Sequence, residues 1–396
     1  MPEPARSPLR IVHLGKYYPP ASGGIETHTR TLAHGLAARG HAVTVVALNH
    51  AAADGSDATF DRFTRTPHAR DTDGPVRVVR VGRWASVAKF DVVPGLTRLL
   101  RRMTDDPPDV WHLHAPNVTA MLAVLAVPRL GPLVITHHSD IVRQRVLKRL
   151  VRPFEARLYR RADLILATSP AYPDGSPLLG AFRGKVEVLP LGLDLDPFAR
   201  PNLAALTCAD GFRHNDAGPL WVTVGRLVSY KALDVALRAL RHVPGTLLVV
   251  GTGPMEAGWR ALAATLGVAD RVVWRGRVSD AELVGGYHAA TAHWFPSNAR
   301  SEGFGLVQVE AMASGCPTIN AAVPHSGVGW VCRDGVAGLT VPLNDPAALA
   351  AAANRLLTEP GLRDRLSAGG RREAGERFTA AVMAERCEAF YRRVVR

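Results

Sequence analysis

Short apolar segments alternate with longer amphipathic segments along most of the chain. In the first half the apolar segments predict strands at residues 10–14, 42–48, 76–81, 110–114, 133–136, 164–168 and 186–189. A helical pattern spans residues 25–39, and Gly40 suits the C-terminal end of that helix. Short apolar strands separated by helices predict a parallel sheet that is covered on both faces.

This alternation stops at residues 190–217, where Pro190, Pro197 and Pro201 interrupt it, and then resumes with strands at 220–224, 247–250, 272–274 and 292–296. We predict an α/β protein with two doubly wound, Rossmann-like domains. The first covers 1–195, a linker covers 196–217, the second covers 218–375, and a C-terminal helix at 376–396 packs on either domain. Because ligands of such sheets bind beyond the carboxyl ends of the strands, we expect a central cleft faced by both domains to hold the site.

Length and composition favour a globular protein that is soluble or peripheral to a membrane. A chain of 396 residues exceeds what one hydrophobic core supports, and 47% hydrophobic with 21% charged residues is typical of globular proteins. The longest apolar run, 120–127, is far shorter than the ~20 residues of a membrane span. Residues 1–10 lack the apolar region of a signal peptide, and the four cysteines form no CxxC pair. We therefore expect a cytoplasmic protein.

The net charge of +13 bears on partners rather than on fold, and it suits nucleic acid, anionic lipid or a phosphate-rich ligand. Nucleic acid is disfavoured because the chain has no RNP-type aromatic motif, zinc finger or basic zipper. Residues 143–161 combine many basic side chains with apolar ones at helical spacing, and Pro153 is expected to open a second helix there. Such a stretch suits an anionic membrane surface or a core-facing helix with a solvated basic face.

Two carboxylates mark the strongest candidate site. Glu302 precedes the turn Gly303-Phe304-Gly305, which follows the strand at 292–296, and Glu310 lies in the helix after that turn. Glycine lets a backbone approach a ligand closely, and a helix N-terminus favours a phosphate. Glutamates with this spacing suit two sets of hydroxyls on one ligand, although a solvated helix start would also explain them.

Basic and glycine-rich loops after other strands point to a diphosphate. Arg226 and Lys231 follow the strand at 220–224, and a guanidinium with a mobile ammonium suits a diphosphate. Gly24 follows the first strand of the chain, where the backbone can approach a phosphate. The loop at 251–254 is a weak dinucleotide signal because it lacks the third glycine of GxGxxG. His114 closes a strand at its ligand-binding end, whereas His112 reads as structural.

Together these segments resemble the retaining GT-B glycosyltransferases of family 4, over residues 11–391. The most specific part is Glu302 to Glu310 followed by Ala311-Met312-Ala313-Ser314-Gly315-Cys316-Pro317, which resembles the E-x7-E signature of the family and its A-x-G-x-P continuation. The family includes bacterial phosphatidylinositol mannosyltransferases, O-antigen mannosyltransferases and sucrose-type synthases.

The resemblance implies a role for each matching residue. The implied contacts are Gly24, Arg226, Lys231, Gly305 and Leu306 at the donor diphosphate, Glu302, Phe304 and His114 at the donor sugar, and Glu310, Val278 and Asp280 at the nucleoside. Glu302 and His114 are the implied catalytic residues. Two positions depart from the family pattern: Ala232 replaces the usual glycine after the lysine, and 323–330 differs at His325 and Gly329 from the usual Gly-Ser-Gly-Val-Pro-Trp loop.

The resemblance implies retaining transfer of a hexose, best matched by mannose from GDP-mannose, to a glycan or lipid-linked acceptor. A UDP-sugar donor carrying glucose or GlcNAc is the alternative, and a sugar-nucleotide epimerase of the same fold is a weaker one. We expect no metal or other cofactor. The triplets 71–73 and 194–196 have the DxD form that holds a cation in GT-A enzymes, but we assign both to turns, which aspartate favours.

Overall fold

The computed structural model describes residues 7–21, 23–50, 65–87, 90–140, 145–207, 212 and 218–395. The chain forms two compact units, each of which contains a mainly or entirely parallel sheet. The first unit comprises Met1–Thr168, Ser176–Gly192 and Ala380–Arg396, and the second comprises Ser169–Gly175 and Leu193–Thr379. The predicted α/β class with two Rossmann-like units is confirmed.

The first unit is built on an eight-stranded sheet with the order β10-β9-β8-β7-β1-β2-β4-β3. Its strands, numbered along the chain, are β1 (Arg10–Leu14), β2 (Ala42–Leu48), β3 (Ala69–Asp73), β4 (Val76–Val81), β5 (Ala85–Val87), β6 (Phe90–Val92), β7 (Val110–Ala115), β8 (Leu133–His137), β9 (Leu164–Ala167) and β10 (Val186–Val188). Among the strands that the structure describes in this sheet, β3 alone runs antiparallel, at the edge, while β5 and β6 form a separate antiparallel pair. The side chains of β7 and β8 are buried throughout, as expected for central parallel strands.

Helices cover this sheet, and one of them comes from the end of the chain. They are α1 (Gly24–Ala38), α2 (Pro94–Met103), α3 (Val118–Leu125), α4 (Arg145–Arg161), α5 (Pro177–Gly180) and, from the C-terminus, α15 (Ala380–Val394). Met383, Ala384, Cys387 and Tyr391 of α15 are buried in the same hydrophobic cluster as Leu32 of α1. The C-terminal helix therefore packs on the N-terminal sheet, one of the two options that the sequence left open.

The second unit has a six-stranded, entirely parallel sheet with the order β13-β12-β11-β14-β15-β16. Its strands are β11 (Leu220–Val224), β12 (Thr246–Val250), β13 (Val272–Gly276), β14 (Ala292–Phe295), β15 (Thr318–Ala321) and β16 (Gly338–Val341). Its helices are α6 (Asp196–Ala199), α7 (Leu203–Thr207), α8 (Leu233–Leu240), α9 (Glu256–Thr265), α10 (Asp280–Ala289), α11 (Leu306–Ala313), α12 (Val328–Val331), α13 (Pro346–Thr358) and α14 (Leu362–Arg377). The order changes direction at β11, so the loops after β11 and β14 lie at the switch point where such sheets bind ligands.

Three local predictions need correction. Within the predicted linker, residues 196–199 form α6, residues 203–207 form α7, and both helices belong to the second unit. Residues 208–211 and 213–217 lie outside the described residues. The triplet 71–73 is part of edge strand β3 rather than a turn, because its three residues pair antiparallel with residues 76–78 of β4. Pro153 lies inside one continuous helix, α4, and does not open a second one.

Candidate active site

The loop after β11 brings Lys231 towards the end of β14. Gly225 has φ of 142°, a region that glycine adopts readily, and a side chain there would meet Lys231. The Lys231 ammonium lies 4.8 Å from the centre of the Phe295 ring, and Phe295 is the last residue of β14. Arg226 in the same loop is exposed. Arg226 and Lys231 therefore line the same pocket, together with Phe295 and Ser297.

The Lys231 ammonium forms an ion pair with Glu302. Its Nζ lies 2.5 Å from Glu302 Oε2, and the two side chains are only 16% and 12% exposed. Ser297 Oγ donates to the same carboxylate oxygen at 3.3 Å. The residue expected to bind the diphosphate, Lys231, therefore contacts the residue expected to bind the sugar, Glu302. Because both side chains are largely buried, water screens their charges little.

Helix α11 begins beside this pair. Gly305 takes a left-handed conformation with φ of 79° just before the helix, and an added Cβ would lie 2.9 Å from the Phe295 ring. Only glycine fits that position without strain. Leu306, the first helical residue, opens a helix whose first N–H groups and dipole favour a negative group. The side chain of Phe304 is buried against Trp330 and Phe378, so only its backbone borders the turn.

Hydrogen bonds connect the segment 323–330 to the turn that begins at Glu302. Ser326 Oγ donates to the Glu302 carbonyl oxygen, and the Gly327 N–H donates to the Gly303 carbonyl oxygen at 3.0 Å. His325 takes a positive φ of 53° in the same segment. The position of the Glu302 carboxylate therefore depends on this segment, in which the sequence departs from the family pattern.

Glu310 lies within helix α11, and its environment differs from that of Glu302. Tyr287 Oη donates to Glu310 Oε2 at 3.0 Å. Burial raises the pKa of Glu310 to about 7, and the negative charge of Asp280 adds to the rise. Asp280 is exposed at the start of α10, behind a capping box made by Ser279 and Glu282, and Val278 is partly buried before it. The three predicted nucleoside residues therefore lie in one region of the second unit.

The remaining predicted site residues, Gly24 and His114, lie in the first unit. Gly24 is the first residue of α1, it is exposed, and an added Cβ there would meet no atom within 4 Å. His114 lies near the C-terminal end of β7 and is almost fully buried. Its ring stacks with His13, His112 and His138, so it belongs to a cluster of imidazoles that the sequence analysis did not predict.

Known glycosyltransferases resemble this chain along most of its length. Residues 22–197 match the family described as "Glycosyltransferase Family 4", and residues 210–373 match "Glycosyl transferases group 1". The chain is 34% identical to D-rhamnosyltransferase WbpZ of Pseudomonas aeruginosa, over 69% of this chain and 70% of that protein. It is 30% identical to the phosphatidyl-myo-inositol mannosyltransferase of Mycobacterium leprae, over 98% of this chain and 97% of that one. The chain belongs to glycosyltransferase family 4.

A solved structure agrees with the fold of this family 4 glycosyltransferase. HepE from Anabaena, solved with UDP and glucose, superposes with a TM-score of 0.75 at 18% identity, over 97% of this chain and 100% of that one. The fold of the enzyme is therefore GT-B, as the resemblance implied. Among the described residues, no helix combines the length and the apolar character that crossing a membrane would require.

Three further residues of the family 4 enzyme belong to the site but were not predicted. Tyr287 and Ser297 contact the two signature glutamates, and Ser326 holds the backbone between them. Tyr287 and Ser326 are more than 20 residues from the glutamates they contact, Ser297 is five residues from Glu302, and tyrosine and serine are common polar residues. No periodicity or spacing in the sequence distinguished them from surface residues.

Proposed function

We propose that the enzyme transfers mannose from GDP-mannose, with retention and without a metal ion, to a glycan or lipid-linked acceptor. The observation that carries the proposal is the contact of Lys231 with Glu302 beside the N-terminus of α11. One group suits a diphosphate and the other suits sugar hydroxyls, and their contact supports the proposal that both act on one donor molecule. The mannosyltransferase name of the Mycobacterium leprae relative supports mannose.

Departure of the diphosphate is proposed to be assisted by fixed positive charge. Lys231, Arg226 and the first N–H groups of α11 would stabilise the negative charge that grows on the leaving oxygen. Preorganised charge of this kind is usually the largest single contribution to catalysis, so a divalent cation is not required. Gly24, Gly305 and Leu306 keep their proposed places beside the phosphates.

Retention is proposed to occur by attack on the same face of the sugar. The bond from the anomeric carbon to the phosphate oxygen breaks, the acceptor oxygen bonds to that carbon, and the acceptor proton moves to the departing phosphate. Glu302 binds hydroxyls of the transferred sugar rather than forming a covalent bond, alongside the backbone of Phe304. His114 keeps its proposed place at the sugar, and Glu310, Val278 and Asp280 keep theirs at the nucleoside.

A UDP-sugar is the alternative donor, with glucose or GlcNAc as the sugar. The Anabaena structure contains UDP and glucose, which supports this alternative. The departures at His325 and Gly329 lie in the segment that is hydrogen-bonded to Glu302, so they bear on the sugar rather than on the nucleotide. The epimerase alternative loses its basis because the chain belongs to a glycosyltransferase family.

A lipid-linked acceptor fits a surface feature of α4. Leu150 and Phe154 are 67% and 47% exposed on one side of this helix, among exposed arginines, while Val151 and Leu158 are buried. The exposed pair gives α4 a second apolar face that its packing does not use. We propose that this face lies on the anionic inner surface of the plasma membrane. Residues 143–144 of the predicted basic segment and the side chains of residues 145–148 lie outside the described part of the chain.

The first experiment combines the protein, EDTA and a panel of nucleotide sugars, and it measures thermal melting and nucleoside diphosphate release. We expect GDP-mannose to raise the melting temperature most and to be hydrolysed slowly in EDTA. Stabilisation by a UDP-sugar alone would overturn the guanine assignment, and stabilisation by all GDP-sugars alike would leave the sugar open. A requirement for added Mg²⁺ or Mn²⁺ would overturn the metal-independent mechanism.

A further inference from the structure

Six histidines of the first unit lie close together around the C-terminal ends of β1, β7 and β8. His13 is on β1, His28 on α1, His112 and His114 on β7, and His137 and His138 at the end of β8. Ring centres of His28, His114 and His138 lie 4.8–5.5 Å apart. No role in the proposed transfer reaction accounts for so many imidazoles in one place.

His28 is the member whose bonding is least satisfied. Its side chain is almost fully buried, and within the described part of the chain neither ring nitrogen has a hydrogen-bond partner. Buried polar groups are nearly always paired with protein, water or an ion, so both nitrogens of a buried imidazole call for a ligand. His28 packs edge-on against the rings of His114 and His138, so these two histidines could bind the same ligand as His28.

The geometry points to a binding site for a zinc-class divalent metal ion formed by His28, His114 and His138. One nitrogen from each ring lies within 4.8 Å of the other two. His114 Nδ1 and His138 Nε2 are 3.2 Å apart, close to the ~3.3 Å that separates two nitrogens on a tetrahedral ion with bonds of about 2.0 Å. Three imidazoles with a fourth position left for water are a common zinc arrangement.

The hydrogen bonds around these histidines favour the set His28, His114 and His138 over the second possible set of three. His114 Nε2 lies 3.0 Å from His13 Nδ1, so His114 can donate to His13 while its Nδ1 binds the ion, as ligating histidines usually do. The alternative set of His13, His112 and His114 is less suitable because both nitrogens of His112 are engaged, by Tyr391 Oη at 2.5 Å and Thr136 Oγ1 at 2.7 Å.

Protonation and access are also compatible with a metal ion. Burial lowers the pKa of His28 to about 3 and holds the pKa values of His114 and His138 well below the usual range, so the rings are neutral at pH 7. Neutral imidazole is the form that binds metal. His138 is partly exposed, which gives an ion and its water a route to the site. Imidazole nitrogen selects zinc, cobalt or nickel over magnesium and calcium.

The test is a titration of the metal-free protein with Co²⁺, followed by visible absorption, and then displacement by Zn²⁺. We expect one Co²⁺ per chain with the intense visible bands of a tetrahedral nitrogen site. His28→Leu and His138→Leu should abolish the bands, and His13→Leu should weaken affinity by about 10–100-fold as an outer-shell partner. His34→Leu is the matched control, because His34 is on the same helix and contacts Asp73 instead.

Absence of visible bands in the unchanged protein would overturn the proposal. So would bands that persist in His28→Leu, or that disappear equally in His34→Leu. Circular dichroism and hydrogen exchange in β1, β7 and β8 show in which variants the first unit remains folded. The inference meets the proposed donor chemistry at His114, because an ion on Nδ1 and a hydrogen bond from Nε2 to His13 leave this ring no nitrogen for the donor sugar. Removing the ion with EDTA frees Nδ1 for that contact, so transfer in EDTA is expected to persist.

Discussion

At the scale of single residues, Glu310 makes the pH dependence of donor use testable. Its pKa is raised to about 7 by burial, and ribose hydroxyls would donate to its ionised form. Raising the pH through about 7 ionises this carboxylate in the free enzyme, so kcat/KM for the donor should rise across that range. The opposite sign holds for stability: a carboxyl whose folded pKa is raised above 4.5 loses stabilisation as pH rises from about 4.5 to about 7.

Two variants separate this prediction from a general pH effect. Glu310→Gln should show a lower kcat/KM and no rise near pH 7. Tyr287→Phe removes a hydrogen bond that lowers the pKa of Glu310, so the rise should move to higher pH. An unchanged profile in both variants would show that another group causes the rise. The measurement is kcat/KM for the donor in buffers of constant ionic strength.

The second prediction concerns the charge of Glu302. Glu302→Gln keeps the size of the side chain but removes the charge that Lys231 faces at 2.5 Å. We expect kcat/KM to fall by about 10²–10³-fold, the usual effect of losing one preorganised polar contact in a transition state. Glu256→Gln is the control, because Glu256 forms an exposed pair with Arg260 in the same unit. A Glu302→Gln enzyme with most of its activity would contradict the role given to this carboxylate.

The site residues divide into those that the sequence could predict and those that it could not. Glu302 and Glu310 were predictable because they stand in one short segment, and that segment forms one turn and one helix. The contact between Lys231 and Glu302 was not predictable, because it depends on the neighbouring positions of β11 and β14 in the sheet. The histidine cluster depends likewise on the adjacency of β1, β7 and β8.

At the scale of elements, the turn that contains His325 has a stability consequence. His325 is exposed at a φ of 53°, a conformation that costs a residue with a Cβ roughly 1–2 kcal/mol. The greater freedom of glycine in the unfolded chain offsets about 0.4–1 kcal/mol of that. We therefore expect His325→Gly to raise the free energy of unfolding by about 0.5–1 kcal/mol, net of these two effects.

A close contact of His325 supplies the matched variant. A Cβ added at Gly175 would lie 2.5 Å from the Cβ of His325, so Gly175→Ala should destabilise the protein by about 1–3 kcal/mol. The double variant should recover much of that loss, because His325→Gly removes the atom that the new methyl group meets. Additive effects in urea unfolding would show that this contact does not form.

Helix α4 makes a separate prediction about membrane binding. The double variant Leu150→Glu, Phe154→Glu should lose flotation with vesicles of phosphatidylcholine and phosphatidylglycerol. Burying a large apolar side chain contributes about 1.5–3 kcal/mol, so losing two should reduce partitioning by more than about tenfold. Leu203→Glu is the control, since Leu203 is 76% exposed on α7 in the other unit. If the unchanged protein does not float with these vesicles, the proposal that α4 binds a membrane is wrong.

Elements were predictable where hydrophobic periodicity determined them and less so elsewhere. The central strands read as apolar runs because both of their faces are buried. Strand β3 was missed because its residues are mostly exposed and polar, and its position depends on pairing with β4. Helices α6 and α7 were read as linker because prolines and short length conceal elements of that size.

At the scale of the whole molecule, the chain does not divide into two consecutive halves. Residues 169–175 belong to the second unit and residues 380–396 return to the first. The sequence could not decide where α15 packs, because its apolar stripe would fit either sheet. The close approach of α15 to α1 decides it, since a Cβ at Gly35 would lie 2.8 Å from the Cβ of Ala384.

This connectivity predicts that the two units respond differently to loss of the C-terminus. Ending the chain at Thr379 removes Met383, Cys387 and Tyr391 from the core of the first unit and leaves His112 without its tyrosine partner. Loss of several buried side chains at 2–5 kcal/mol each exceeds the stability of a typical domain, so the first unit should unfold.

The second unit should remain folded in this truncated chain, because its sheet and core contain no residue beyond Thr379. Hydrogen exchange should therefore show rapid labelling in β1, β7 and β8 and protection in β11, β12 and β14. GDP should still slow exchange around Lys231 and Glu310, because most of the proposed donor contacts belong to the second unit. Gly35→Leu, which keeps the full chain but crowds α15, should give a milder form of the same pattern. Equal loss of protection in both units would show that the second does not fold independently.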